Sequence, residues 1–118
     1  MRYEVWRPDR DVFPACEHDM AETRWSRVWE GELPRVFRVP PGMSAREAVL
    51  AQLAMTWSTN APAKGLHGMS SGDIVVFTSG APGEERGREV WLSTFPGWRR
   101  VFLTPDGRVL SKVYGSEN

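Results

Sequence analysis

Hydrophobic positions recur along this chain with two different periods. From Arg2 to Trp6 they alternate: Tyr3 and Val5 face one way, Glu4 and Trp6 the other. That period of two predicts a first strand. Pro8 is expected to close it, because proline restricts the residue before it and lacks a backbone donor. Residues 9 to 23 are charged and aperiodic, and read as a loop with at most one turn of helix. From Trp25 to Leu33 alternation returns, with Trp25, Arg27 and Trp29 on one face and Ser26, Val28 and Glu30 on the other. Neither face is cleanly apolar, so this segment is expected at an edge or with two mixed faces. Pro34 ends it, and Val36 to Val39 reads as a short strand before Pro40-Pro41-Gly42.

The period then changes. Ser44-Ala45-Arg46-Glu47 has the form of a capping box, in which the serine hydroxyl accepts from the third amide and the glutamate reaches back. Val49, Leu53 and Trp57 follow at intervals of four, with Leu50 and Ala54 beside them and Arg46, Gln52 and Thr56 opposite. This predicts an amphipathic helix over about 44–58, ended by Asn60 and Pro62. After a Gly72-Asp73 turn, Ile74 to Thr78 is nearly continuous in apolar residues, which predicts a central strand covered on both faces. Residues 79 to 88 read as an exposed loop. Glu89 to Phe95 alternates, with Val90 and Leu92 opposite Trp91 and Ser93. Pro96-Gly97 turns the chain into a strand from Trp98 to Thr104. Thr104-Pro105-Asp106-Gly107 is a turn in which proline presets its backbone angle and glycine takes the positive one. Val109 to Tyr114 reads as the last strand.

These elements add up to an α+β fold. A small antiparallel sheet of five to six strands, flat or strongly curved, carries one main amphipathic helix (about 44–58) on one face. The chain reads as a single domain, 1–118, without repeats or linkers.

Composition narrows the functional classes. At 118 residues the chain can bury one core without disulfide or metal staples. Fifteen basic residues balance fifteen acidic ones, so no global field draws it to nucleic acid or an anionic membrane. Cys16 is the only cysteine, which gives no internal disulfide and no sign of an oxidising compartment. No segment has the apolar length of a membrane span or a signal peptide, so a cytoplasmic location and no membrane partner are expected. Six tryptophans are many for this length. Core packing is the plainer use of each, and binding hot spots the other.

The stretch Leu66-His67-Gly68-Met69-Ser70-Ser71-Gly72-Asp73-Ile74-Val75 is close to a Gly-His-Ser-Leu-Ser-Val-Gly-Asp-Val-Val signature. His67, Ser70, Gly72 and Asp73 match by type, and Met69, Ile74 and Val75 by character. Upstream lie Val28-Trp29-Glu30-Gly31-Glu32-Leu33, where the pattern has a strand ending in a Tyr-Glu-Gly-type turn, and Leu53 to Trp57, where it has a helix ending in an aromatic. Downstream is Gly97-Trp98, a glycine-aromatic pair. In this order the region of about 25–102 resembles the YodL-like domain family, related to KfrB-type domains of plasmids. Leu66, Gly68 and Ser71 depart from the pattern. The resemblance implies an origin on a phage, plasmid or integrative element. It implies no activity and no catalytic residue.

Candidate chemistry is sparse. His67, Ser70 and Asp73 lie within seven residues, but a triad is recognised by geometry rather than proximity. The plainer reading makes Ser70, Gly72 and Asp73 a structural turn. Met69 to Val75 also has a faint likeness to the Ser-Met…Gly-Asp-x-Val strand of signal-peptidase and LexA-type proteases. That chemistry needs a lysine base, and Lys64 and Lys112 sit in no matching motif. Cys16-Glu17-His18-Asp19 has metal-capable side chains without the further ligands zinc requires, so no metal and no cofactor are expected. Arg86, Arg88, Arg99 and Arg100 gather near Trp91 and Trp98. Arginine beside tryptophan suits a protein hot spot or a nucleic-acid strand, and Glu84, Glu85 and Glu89 offset the charge.

The sequence therefore points to a non-enzymatic interaction module acting on a host or element-encoded protein. Its expected contact residues are Trp98, Arg99, Arg100, Arg88 and Trp91. A nucleic-acid-binding accessory protein is the alternative, and an enzyme of unknown reaction comes after that. A monomer or a weak dimer fits either.

Overall fold

The structure is a computed structural model and describes residues 2–12, 17–33, 39–66, 68–78, 88–94 and 97–110. Five strands form one antiparallel sheet: β1 (Arg2–Pro8), β2 (Trp25–Glu32), β3 (Ile74–Thr78), β4 (Arg88–Ser93) and β5 (Trp98–Arg100). Their order is β2-β1-β3-β4-β5. The N-terminal pair and the C-terminal meander are thus joined through β1 and β3, with Tyr3 opposite Phe77 and Val5 opposite Val75. The apolar β3 lies at the centre, and the mixed β2 lies at an edge, as the sequence predicts. A short helix α1 (Glu17–Glu22) precedes β2, and the main helix α2 (Ala45–Asn60) precedes β3.

Helix α2 starts on its capping box. The Ser44 hydroxyl accepts from the Glu47 amide at 3.1 Å, and the Glu47 carboxylate accepts from the Ser44 amide at 3.2 Å. The helix runs two residues past Ser58 before tightening into a 3-10 turn, Ala61–Lys64, which carries Pro62 in its first turn. Proline is compatible there because the first turn needs no donor from it. Ala48, Leu50, Leu53 and Trp57 are buried.

Alternation along the strands divides the core between the two faces of the sheet. On one face Tyr3, Val5, Val75 and Phe77 pack against Leu50, Leu53, Trp57 and Ala61 of the helical layer. On the other face Ile74, Val76, Val90 and Leu92 pack against Val12, Met20, Trp25 and the C-terminal residues Val101, Leu103 and Val109. The helix covers one face, as expected; the second cover comes from Met20 of α1, Trp25 and the irregular segments that carry Val12 and Val101 to Val109. A core Leu at such a site contributes about 2–5 kcal/mol relative to Ala.

Pro8 is the last residue of β1, as expected, and stands opposite Trp25; just beyond it the Asp9 amide donates to the Arg24 carbonyl at 2.8 Å. Two other expectations are corrected by the backbone. Trp25, Arg27 and Trp29 do not share a face. Val5 pairs with Trp29 but Trp6 pairs with Arg27, so Val28 is an extra residue, a β-bulge. The bulge reverses the alternation, sending Trp25 into one core cluster and Trp29 against the other. Glu30-Gly31 is not a turn either: β2 continues through Glu32. Gly31 is required by close approach, since a Cβ there would lie 2.9 Å from Trp29 Nε1 and 3.0 Å from the Tyr3 ring.

The predicted strand from Trp98 to Thr104 is shorter than its pattern. Regular pairing ends at Arg100, and Leu103 makes an isolated bridge to Val109. Between them the turn closes through the Gly107 amide and the Thr104 carbonyl at 3.0 Å. The Thr104 hydroxyl donates to the Asp106 carboxylate and is the main cause that holds its pKa below the usual carboxylate value. Residues 36–38, 79–87 and 111–114, expected as strand, loop and strand, lie outside the described residues. Among the described residues no helix is long and apolar enough to cross a membrane.

Candidate functional site

Two groups of side chains stand out, and they lie at different places on the helix-covered face. The first surrounds the turn before β3. Here the Ser70 amide donates to Asp73 Oδ2 at 2.9 Å, the Ser70 hydroxyl lies 3.4 Å from the same oxygen, and the Asp73 amide returns to the Ser70 carbonyl at 3.1 Å. Gly72 carries a φ of 94°, the left-handed region that glycine occupies without a Cβ penalty. Its amide and the Asp73 carbonyl pair with Ser93, and its carbonyl accepts from Trp25 Nε1 at 2.8 Å. Ser70 and Asp73 thus use their polar atoms on the turn itself, an arrangement that fixes backbone rather than activates a hydroxyl. His67, the third member of the sequence cluster, lies outside the described residues, as does Cys16.

Asp73 has a further neighbour that sequence reading missed. Arg7 Nη2 lies 3.4 Å from Asp73 Oδ2 and also donates to the Gly68 carbonyl. Its guanidinium sits 5.5 Å from the centre of the Trp57 ring. The Asp73 side chain is 2% exposed and that of Arg7 12%. One buried cation therefore ties the end of β1, the end of α2 and the turn together. A signal was present: Arg7 shares the alternation face of Tyr3 and Val5, so its side chain had to point inward and needed an acid.

The second group holds the predicted contact residues. Cross-strand pairing sets Trp91 opposite Arg100, Leu92 opposite Arg99 and Ser93 opposite Trp98. Paired residues share a face, so Trp91, Trp98 and Arg100 lie on the helix side while Arg99 falls on the side of Leu92. Arg88, two residues before Val90 on β4, also falls on that opposite side. The five residues do not make one patch. Strand period divides them, and Arg86 lies outside the described residues.

On the helix side two further residues join the group: Glu89, expected only to offset the charge, and Arg46, which sequence reading missed. Glu89 accepts from Trp91 Nε1 at 3.1 Å with one oxygen and from Arg46 Nη2 at 2.9 Å with the other. The guanidinium of Arg46 stands 6.0 Å from the Trp91 ring centre and that of Arg100 5.8 Å. Trp91 and Trp98 are partly buried against the core, whereas Arg100 is exposed. The result is an indole held by its N–H and flanked by two cations, at the edge of the sheet where β5 ends it. Such contacts contribute about 0.5–1 kcal/mol each at an exposed site.

Trp25 and Trp57 belong to the core, Trp29 packs against it, and Trp6 packs partly against it while donating to Glu4. Trp25 and Trp57 are 2% and 0% exposed. Trp29 donates to the Tyr3 hydroxyl at 2.9 Å and packs on Trp57 with ring centres 5.3 Å apart. Among the described residues no group of three or more His, Cys, Asp or Glu is arranged to hold a metal ion. Comparison with protein-family models, with curated proteins and with solved structures gave no match.

Proposed function

We propose that the chain is a non-enzymatic interaction module that binds a host or element-encoded protein through the helix-side surface of β4 and β5. The observation that carries this reading is the Trp91 indole flanked by Arg46 and Arg100 beside Trp98. Tryptophan and arginine are the residue types in which protein interfaces concentrate their binding energy. Here they are held in place beforehand, because Glu89 fixes both the indole and Arg46, which lowers the entropy lost on binding. The mobile-element setting, phage or plasmid, rests on the YodL-like resemblance. The use of Ser70 and Asp73 as turn residues supports a role without catalysis.

Nucleic acid is the less favoured partner. Stacking on Trp91 would compete with the guanidinium groups already over that ring. Arg88 and Arg99 lie on the opposite side of the sheet from Arg100, so the arginines give no continuous basic track.

The test is an affinity capture from host lysate with and without nuclease, comparing the wild-type chain with Arg100→Glu. A protein retained after nuclease and lost from the variant supports the reading. Recovery of nucleic acid, or loss of all captured protein on nuclease treatment, replaces it with the nucleic-acid reading.

A further inference from the structure

We infer that the segment this surface binds is an acidic peptide, one of whose carboxylates seats on Arg100 at the rim of Trp91 while an apolar neighbour rests on Trp98. The inference rests on the interaction-module reading and names the chemistry of its partner.

The charge balance points to Arg100. Arg2, Arg7, Arg10, Arg27, Arg46 and Arg108 each have a carboxylate partner within the chain. Arg24, Arg88 and Arg100 have none among the described residues; Arg88 lies on the opposite side of the sheet and Arg24 beside Thr23 and Arg108, whereas the Arg100 guanidinium lies over the face of Trp91. Glu89, the acid in this group, has both oxygens engaged by Trp91 and Arg46. The surface therefore presents one unmatched positive charge beside two partly buried indoles. A guanidinium stacked over a ring keeps its N–H fork free at the edge, and that fork matches a carboxylate in two-point fashion. The flanking indole reduces solvent around the pair and strengthens it.

Position adds to charge. β5 is the last strand in the sheet order, and Trp98 and Arg100 project from it on one face. An extended peptide with an acidic and an apolar residue two positions apart would present a carboxylate to Arg100 and an apolar side chain to Trp98 from one face.

The test uses the full chain and two blocked synthetic peptides, Ser-Glu-Ser-Leu-Ser-Glu-Ser-Leu and Ser-Lys-Ser-Leu-Ser-Lys-Ser-Leu, in which the charged and apolar residues share one face when extended, with a single-stranded oligothymidine as third probe. Binding is read by tryptophan fluorescence and by amide shifts of Trp91 and Arg100. The wild-type chain is expected to bind the glutamate peptide at least about tenfold more tightly than the lysine peptide, and Arg100→Glu to reverse that preference. An Arg100→Lys variant should retain the acidic preference with weaker binding. The inference is overturned by equal binding of both peptides, by absent binding of the acidic one, or by a preference that survives Arg100→Glu. Tighter Arg100-dependent binding of the oligothymidine overturns it too. If it fails while lysate capture still yields an Arg100-dependent protein, the module reading stands with a partner of other chemistry.

Discussion

Arg7 and Asp73 are 66 residues apart in sequence, and their side chains meet 3.4 Å apart at the joint between β1, α2 and β3. Neither charge is well hydrated there, so each depends on the other. Asp73 also accepts from the Ser70 amide. Removing the carboxylate therefore costs more than one turn hydrogen bond.

Asp73→Ala is expected to destabilise the fold by about 3–5 kcal/mol, the cost of leaving one member of a buried ion pair alone. Asp73→Asn keeps an acceptor for Ser70 and should lose less, about 1.5–3 kcal/mol. Chemical denaturation of both variants measures this. Equal, near-zero losses would show that the pair does not hold the turn.

The ladder between β4 and β5 separates two adjacent arginines. Arg100→Glu is expected to weaken partner capture, while Arg99→Glu, on the opposite side of the sheet, should not. Arg100→Glu should leave stability within about 0.5 kcal/mol, as is usual for an exposed side chain. Parallel capture and melting of the two single variants check this. Equal effects on capture would contradict the division of faces.

Gly107 holds a φ of 88°, and a Cβ there would collide with the Trp25 carbonyl oxygen. The Gly107 carbonyl in turn accepts from the Trp25 amide at 2.7 Å. Gly107→Ala is therefore expected to lose more than the roughly 1–2 kcal/mol of the left-handed conformation alone. Thermal melting with Gly42→Ala as control distinguishes the two costs, because Gly42 has positive φ and a Cβ added there would meet no heavy atom within 4 Å.

Burial raises the Tyr3 pKa above its ordinary value of 10.0, and the hydrogen bond from Trp29 opposes the shift. A folded-state pKa above the unfolded one gives stability that is complete below about pH 10 and is lost as pH rises through the folded value. Tyr3→Phe should flatten this alkaline loss while costing about 1 kcal/mol near neutrality, since Trp29 Nε1 loses its acceptor. Stability curves from about pH 8 to 11 measure both effects.

What was legible in the sequence depended on how regular each segment is. β3 read as central because its nearly unbroken apolar run needs cover on both faces. Helix α2 read clearly because its cap and its four-residue spacing agree. The bulge at Val28 left no mark, since a period of two assumes that no residue is inserted, and so the faces of Trp25 and Trp29 were assigned together. The parting of Arg99 and Arg100 follows from strand alternation alone, whereas the approach of Arg46, from a helix, to Trp91 cannot be read from neighbours in sequence. Arg7 was legible only in retrospect, as the inward member of the Tyr3, Val5, Arg7 series.

The most direct measurement of the central claim is amide hydrogen exchange of the full chain, free and bound to the protein it captures. Protection is expected to concentrate at Glu89 to Trp91, Trp98 to Arg100 and the first turn of α2 around Arg46, with β2 unchanged. Protection confined to β2, or to the opposite side around Leu103 to Val109, would contradict that claim.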